Sequence, residues 1–473
     1  MEIRKQTLSR NLPSAKQRNL TEITEYLDSH WSLVDRKGSL ERAKELNQAL
    51  GLVSEKVPVL LVTGTNGKSL TVHLAAKLLK EEGLKVGTFS SPHVLTYNER
   101  ISINNEAISN KLLTEIANDV INTAEHLNIN ANSSELLTLM ALKYFADQAV
   151  DVAVLEVDQG GGKNSVNICN SKILTITRVT APNVKVDAEQ LKETIKDISG
   201  LVKPGTLVVS GDQSKSHLQY MQELTEANKG VWAMPIRKLA ALPYPFEQLH
   251  GRCAALAERI AQMYIEYHFN DNATITSDSL LSKPRGQRGR PTLEAKKHLE
   301  LNPKKTLEQF WKEEASDLPC RFELLDKEKP SVLLDNASNI DAFKNVLLGI
   351  RLLHYQKPLK GLTIIVGAAK DSLHNEEFLK LVRYFFKKTS GQLFICPIDS
   401  DLPGTDEEQS WDVEKVTNDV KSMKIKARAC KTFEEAFELA KKSVDERNGL
   451  IVITGSKSIV NNYWLVKGIK KLQ

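Results

Sequence analysis

The stretch Leu60-Leu61-Val62-Thr63-Gly64-Thr65-Asn66-Gly67-Lys68-Ser69 leaves few folds open to this chain. An apolar run over 57–62 breaks into a glycine turn, and Leu70, Leu74, Leu78 and Leu79 follow at helical spacing. The pattern predicts a strand, a loop and a helix, with loop N–H groups and the positive helix end converging on one point. Gly64 and Gly67 allow close backbone approach to a phosphate where a side chain would intrude. Lys68 is placed to neutralise β- and γ-phosphates and the Ser69 hydroxyl to hold Mg²⁺, with Thr65 and Asn66 completing the loop. Gly64 lies only three positions before Gly67, so the loop is shorter than G-x-x-x-x-G-K-[ST]. An ordinary strand-to-helix turn is the alternative.

Strand–helix alternation runs through the rest of the chain. Two helices are predicted over 19–50, ahead of the loop. Beyond it come an apolar run at 85–89, the tetrapeptide Ser90-Ser91-Pro92-His93, and an alternating stretch at 97–103 that reads as an edge strand or hairpin. Helical patterns at 109–127 and 133–148 lead into a buried strand at 150–157. Glu156 ends that strand, where open α/β sheets bind ligands, and is therefore a candidate Mg²⁺ partner for Ser69. Gly160-Gly161-Gly162 reads as a flexible loop, 172–179 and 206–210 as strands, and 252–266 as an Ala-rich helix. A second α/β unit is expected from near Pro319, with strands at 331–335, 362–367, 392–397 and 449–455.

The predicted fold class is α/β in two domains. An N-terminal, P-loop-type, mostly parallel sheet with helices on both faces occupies 1–281, and a smaller Rossmann-like domain occupies 319–473. A basic linker or insertion, 282–318, separates them. Within it Lys283, Arg285, Arg288, Arg290, Lys296, Lys297, Lys304 and Lys305 face only Glu294 and Glu300 up to position 305. A solvated segment explains this, and a docking site for an anionic partner is the sharper reading.

At 473 residues the chain is too long for one ordinary core. A net charge of +5 suits anionic small molecules and gives no argument for nucleic acid. No apolar run is long enough to predict a membrane span, and the polar, basic stretch 1–18 predicts no secretory signal. The five cysteines are scattered without metal-ligand spacing, which predicts reduced thiols in a cytoplasmic protein.

Several segments recur in a fixed order: the glycine loop, Ser90-Ser91-Pro92-His93, Glu99-Arg100-Ile101, Leu155-Glu156-Val157 and Arg321-Phe322-Glu323. That order resembles the folylpolyglutamate synthase and dihydrofolate synthase family of the Mur ligase superfamily. Gly38-Ser39-Leu40-Glu41-Arg42, Asp335-Asn336-Ala337-Ser338-Asn339, Lys370-Asp371 and Thr454-Gly455-Ser456 agree with it. The resemblance covers about 20–473 apart from the basic insertion. It implies an ATP- and Mg²⁺-dependent ligase: a substrate carboxylate is phosphorylated, and the amine of L-glutamate displaces phosphate to leave an amide. It puts Arg321 on the phosphates, Asp335 on the ribose, and Ser91, His93 and Arg100 on the folate or dihydropteroate side. It also implies a monomer acting on small molecules, with no nucleic-acid or membrane partner.

Departures from the family pattern fall on chemistry. The family's Gly-Leu-Gly-Gly-Arg-Leu-Asp-Ala-Thr-Asn loop stands here as residues 158–167, with Gly162 for the Arg and Asn164 for the pterin-side Asp. Asn183 replaces a His that binds a second Mg²⁺, and a neutral amide is a weaker ligand for a hard cation. Ile198 replaces a typically carbamylated Lys, the adenine-side Asn falls near Cys253, and Ser338 replaces a His. Three readings follow: a divergent folate ligase, a nucleotide- or folate-binding homologue without ligase activity, or a Mur-type ligase for another carboxylate. Elsewhere, His250 reads as a helix-start or interface residue, Phe310 and Trp311 as helix packing, and Lys370 as an exposed lysine or a phosphate contact. His93 is open between bonding within its own loop and touching substrate.

Overall fold

The computed structural model describes residues 16–31, 38–158, 161–268, 306–314, 319–399 and 409–471. Strand β1 (Val59–Thr63) lies near the middle of an eight-stranded sheet because every side chain on it is apolar or buried, which suits a strand covered on both faces. The order is β4 (Glu106–Ala107), β3 (Ile101–Ile103), β2 (Val86–Phe89), β5 (Val152–Glu156), β1, β6 (Ser171–Ile176), β7 (Leu207–Ser210) and β8 (Val231–Trp232). All neighbours from β2 to β8 run parallel, and the β3–β4 hairpin is antiparallel. Alternate residues of β1 feed opposite layers. Leu60 and Val62 pack with Leu74 and Leu78 of the helix Lys68–Glu81 and with Ala254 and Ala257 of Phe246–His268. Val59 and Leu61 pack with Ile116 and Val120 of Asn110–His126 and with Leu137 and Met140 of Ser133–Asp147.

A second sheet runs β13 (Ala427–Ala429), β12 (Gln392–Ile395), β11 (Leu362–Val366), β14 (Leu450–Thr454), β10 (Ser331–Leu334) and β9 (Glu323–Leu325). Only β9 is antiparallel to its neighbour. Helices cover both its faces, one layer centred on Phe343, Phe378 and Phe385 and the other on Phe433, Phe437 and Tyr463. The molecule is thus an α/β protein with two sheets, each with its own core.

Some local expectations change. Tyr97–Arg100 is a 3₁₀ helix rather than the start of a strand, because Glu99 accepts the N–H groups of Val94, Leu95 and Thr96 and winds the chain into a turn. Gly161 and Gly162 are ordered in place of the expected flexible loop, while Gly160 lies outside the described residues. A Cβ on Gly161 would stand 2.3 Å from the carbonyl of Asp197, and one on Gly162 2.7 Å from Gly200 Cα, so the glycines permit backbone-on-backbone packing. Of the expected basic linker, 306–314 alone is described. There Phe310 and Trp311 join the core around Phe246–His268, with Trp311 Nε1 donating to Glu258 at 2.7 Å. Among the described residues no helix is long and apolar enough to cross a membrane.

Candidate active site

The C-terminal end of β1 opens into a cavity of 1190 Å³ lined from both α/β units. Gly67 (φ +88°) caps the helix Lys68–Glu81 in a left-handed conformation, directing the loop over the helix N-terminus. Gly64 (φ +127°) does not border the cavity. It fits the turn beneath, where a Cβ would lie 2.3 Å from Thr177 Oγ1. Thr65 anchors the loop to the next strand: its N–H donates to the Arg178 carbonyl at 2.6 Å and its hydroxyl to that of Thr180 at 2.8 Å.

Parallel pairing places Val62 beside Glu156, so β1 and β5 deliver the loop and the carboxylate to the same edge. Glu156 is buried, and burial raises its pKa against the opposing pull of Lys68, 3.8 Å away, and of a Ser69 hydrogen bond. Arg321 arrives from the second unit and donates to Ser69 Oγ at 3.2 Å. Lys68 and Ser69, adjacent in the chain, therefore form one cluster with the distant Glu156 and Arg321. His250 borders the cavity nearby, and burial with the field of Arg321 pushes its pKa down to about 4, leaving it neutral.

Next to Glu156 stands a second polar group. Ser91 N–H donates to Glu156 at 3.3 Å and its hydroxyl to Asp158 at 3.3 Å. Arg100, 3% exposed, donates to Ser91 Oγ at 2.9 Å and to His93 Nδ1 at 2.7 Å, with its guanidinium 4.9 Å from the Trp31 ring centroid. His93 does not border the cavity: it sits behind Arg100 and aims it, so the expectation of substrate contact becomes one of positioning.

Asp335 follows β10, half-buried, and accepts the Phe322 N–H at 2.8 Å. Burial drives its pKa up to about 6, against Arg321. The seam between the units closes on the glycine loop itself. Asn66 exchanges amide hydrogen bonds with Asn339 at 2.8 and 3.0 Å and donates to Asp341 at 2.9 Å. Arg178 pairs with Asp341 at 2.9 Å, and Lys185 with Asp371 at 2.5 Å. Lys370 is exposed and outside the cavity, so its exposed reading stands. Trp31, Lys163, Arg178 and Asp341 are cavity residues that sequence reasoning missed. The one usable signal was the position of Arg178 just past β6.

Ser69 Oγ and the Glu156 carboxylate form an oxygen donor set facing a phosphate loop, which fits one Mg²⁺ completed by water and phosphate. Among the described residues no trio of His, Cys, Asp or Glu stands together as a metal centre. A second metal does not fit at the two positions where the resemblance puts its ligands. Asn183 turns its oxygen to the N–H of Lys185 at 3.0 Å, and Ile198 is packed into the core below Gly161. Asn164 likewise accepts the Val166 N–H at 3.0 Å, capping a 3₁₀ turn.

No family model matches the chain. It is 30% identical over 227 residues to the dihydrofolate synthase/folylpolyglutamate synthase of Bacillus subtilis, covering 47% of this chain and about half (50%) of that protein. It is 26% identical over 367 residues to folylpolyglutamate synthase of Lacticaseibacillus casei, covering 75% of this chain and 80% of that protein. In three dimensions it resembles Mycobacterium tuberculosis folylpolyglutamate synthase complexed with ADP (TM-score 0.73, 20% identity, 95% of this chain and 98% of that one). It also resembles the bifunctional Yersinia pestis enzyme complexed with AMPPNP and Mn (TM-score 0.70, 19% identity, 97% and 100%). At such identities the likeness is one of fold.

Proposed function

We propose that this chain, a divergent relative of the folylpolyglutamate and dihydrofolate synthases, is an ATP-dependent ligase that joins L-glutamate to a folate-type carboxylate. The observation that carries the reading is the convergence of Lys68, Ser69, Glu156 and Arg321 from two α/β units on one phosphate loop. Phosphoryl transfer needs positioning and charge neutralisation more than covalent groups on the protein. Lys68 and the N-terminus of Lys68–Glu81 meet the β- and γ-phosphates, with Gly64 shaping the loop and Thr65, Asn66, Gly67 and Ser69 bordering it. Arg321 adds charge from the opposite side, and Asp335 accepts from the ribose. Mg²⁺ held by Ser69 and Glu156 would neutralise phosphate charge there. Ser91 and Arg100 orient the acceptor carboxylate for attack on the γ-phosphate, giving an acyl phosphate and ADP. The glutamate amine then attacks the acyl carbon, the amide forms, and phosphate leaves.

The site is complete only with both units together, which supports closure around the nucleotide as the step that excludes water. We divide the chain accordingly into 1–281, 282–318 and 319–473, and assign it to the cytoplasm as a monomer acting on small molecules, with neither nucleic acid nor membrane as partner. The remodelled wall at Lys163 and Asn164 favours a second reading, in which the same chemistry acts on a different carboxylate. Purified protein with ATP, Mg²⁺ and L-glutamate, with dihydropteroate, tetrahydrofolate or neither, tests both. Acceptor-dependent ADP release with a product one glutamyl unit heavier supports the first. Nucleotide binding without turnover on either folate removes it.

A further inference from the structure

Beyond Arg100 the cavity is walled by the starts of two helices. Ser39 opens Ser39–Ala49 behind Gly38, and Asn132 and Ser134 stand at the first turn of Ser133–Asp147. All three border the cavity. The first N–H groups of both helices, and the partial positive charge they carry, therefore lie along one wall.

Side chains reinforce the bias. Ser39 is 8% exposed, and among the described residues its hydroxyl has no hydrogen-bond partner. Asn132, 6% exposed, engages its Oδ1 with the Glu135 N–H, so the group it can turn to the cavity is its NH₂ donor. Lys163 is exposed, borders the same cavity and has neither an ion pair nor a hydrogen bond among the described residues.

Arg42 grips Glu135 with two hydrogen bonds of 3.0 and 2.6 Å. Asp158 faces Arg100 across Ser91. Arg42 and Arg100 thus each have acidic neighbours, whereas Lys163 has none among the described residues.

We propose that the acceptor carries a second anionic group, a carboxylate or a phosphate, at the end remote from the carboxylate that is activated. Lys163, Ser39 and Asn132 receive it, and Lys163 is the specificity-determining residue. The inference deepens the second reading of the function and relies on the ligase assignment only for which carboxylate reacts.

The test is calorimetric titration of the whole protein, with AMPPNP and Mg²⁺ present. The ligands are straight-chain dicarboxylic acids of graded length, their monomethyl esters, the matching ω-phosphonocarboxylic acids, and dihydropteroate. A dianion should bind about 10- to 100-fold better than its monoester, as expected for losing a hydrogen-bonded charge partner. Lys163→Gln should erase that ratio and Lys163→Arg largely restore it, and the preferred dianion identifies carboxylate or phosphate. The proposal is overturned if no dianion binds, if the ratio is near one, if Lys163→Gln leaves it unchanged, or if dihydropteroate outcompetes every dianion. Glutamate-dependent ADP release is read separately. Dianion binding without turnover removes the ligase and leaves the anion pocket standing, whereas turnover on dihydropteroate without dianion binding does the reverse.

Discussion

The two ends of the cavity are built by different means. At the phosphate end, backbone geometry does most of the work: a glycine-capped helix, a loop tied to β6 through Thr65, and a carboxylate delivered by strand pairing. At the acceptor end, side chains from Ser39, Asn132, Ser134 and Lys163 set the chemistry on a scaffold that other residues would support equally well. A backbone-built site tolerates little change, while a side-chain-built wall can change ligand without changing fold.

The largest expected effect tests the backbone-built geometry of the phosphate end. Lys68→Ala should lower ATP turnover by about 10³-fold or more, since it removes a charge aimed at the transferring phosphoryl group. Nucleotide binding should be lost in calorimetry, with the circular dichroism spectrum unchanged. Retained binding would mean that the loop is only a strand-to-helix turn. Gly64→Ala should act on the fold instead, because its Cβ would meet Thr177 Oγ1 at 2.3 Å in a backbone with φ +127°. A loss of about 3 kcal/mol in urea unfolding is expected.

How far each end was legible in the sequence follows from the same contrast. Strand, glycine turn and leucine spacing sit in one continuous segment, so β1, its loop and its helix could be read locally. Glu156 was found from its place at a strand end. The acceptor wall comes from separate segments, and nothing in the sequence around Ser39 or around Lys163 says that the two border one cavity. Nothing local separates the two readings of His93: only the fold shows that its Nδ1 accepts from Arg100 and that it does not border the cavity. The Arg178–Asp341 pair depends on how two sheets meet, which no local pattern encodes.

A pH experiment sharpens the comparison on the nucleotide side. Asp335 has its pKa raised from 3.8 to about 6. The folded chain therefore favours its protonated form, and the stability this contributes is full below the unfolded value and lost as pH rises through about 6. Asp335→Asn keeps an oxygen for the Phe322 N–H and removes the titration. The variant should melt above the parent at neutral pH, with the gap closing progressively as pH falls toward 4, while its nucleotide affinity is weaker throughout. A constant gap in Tm would show that the carboxylate is not desolvated.

The smallest effect tests whether the seam belongs to the phosphate end. Arg178 and Asp341 pair at 2.9 Å with side chains 44% and 20% exposed, so solvent screens much of their attraction. A double-mutant cycle with Arg178→Ala and Asp341→Ala should give a coupling of about 0.5–1 kcal/mol, shrinking in high salt. The useful readout is kcat/KM for ATP rather than stability, because Asp341 also accepts from Asn66 of the glycine loop. If the pair helps close the second unit onto that loop, each single variant should lower kcat/KM for ATP, and Asp341→Ala should cost more because it also removes one hydrogen bond of Asn66. If kcat/KM is unchanged while the coupling persists in stability, the Arg178–Asp341 pair only joins two sheets, and the second unit meets the phosphate loop through Asn339 and Arg321.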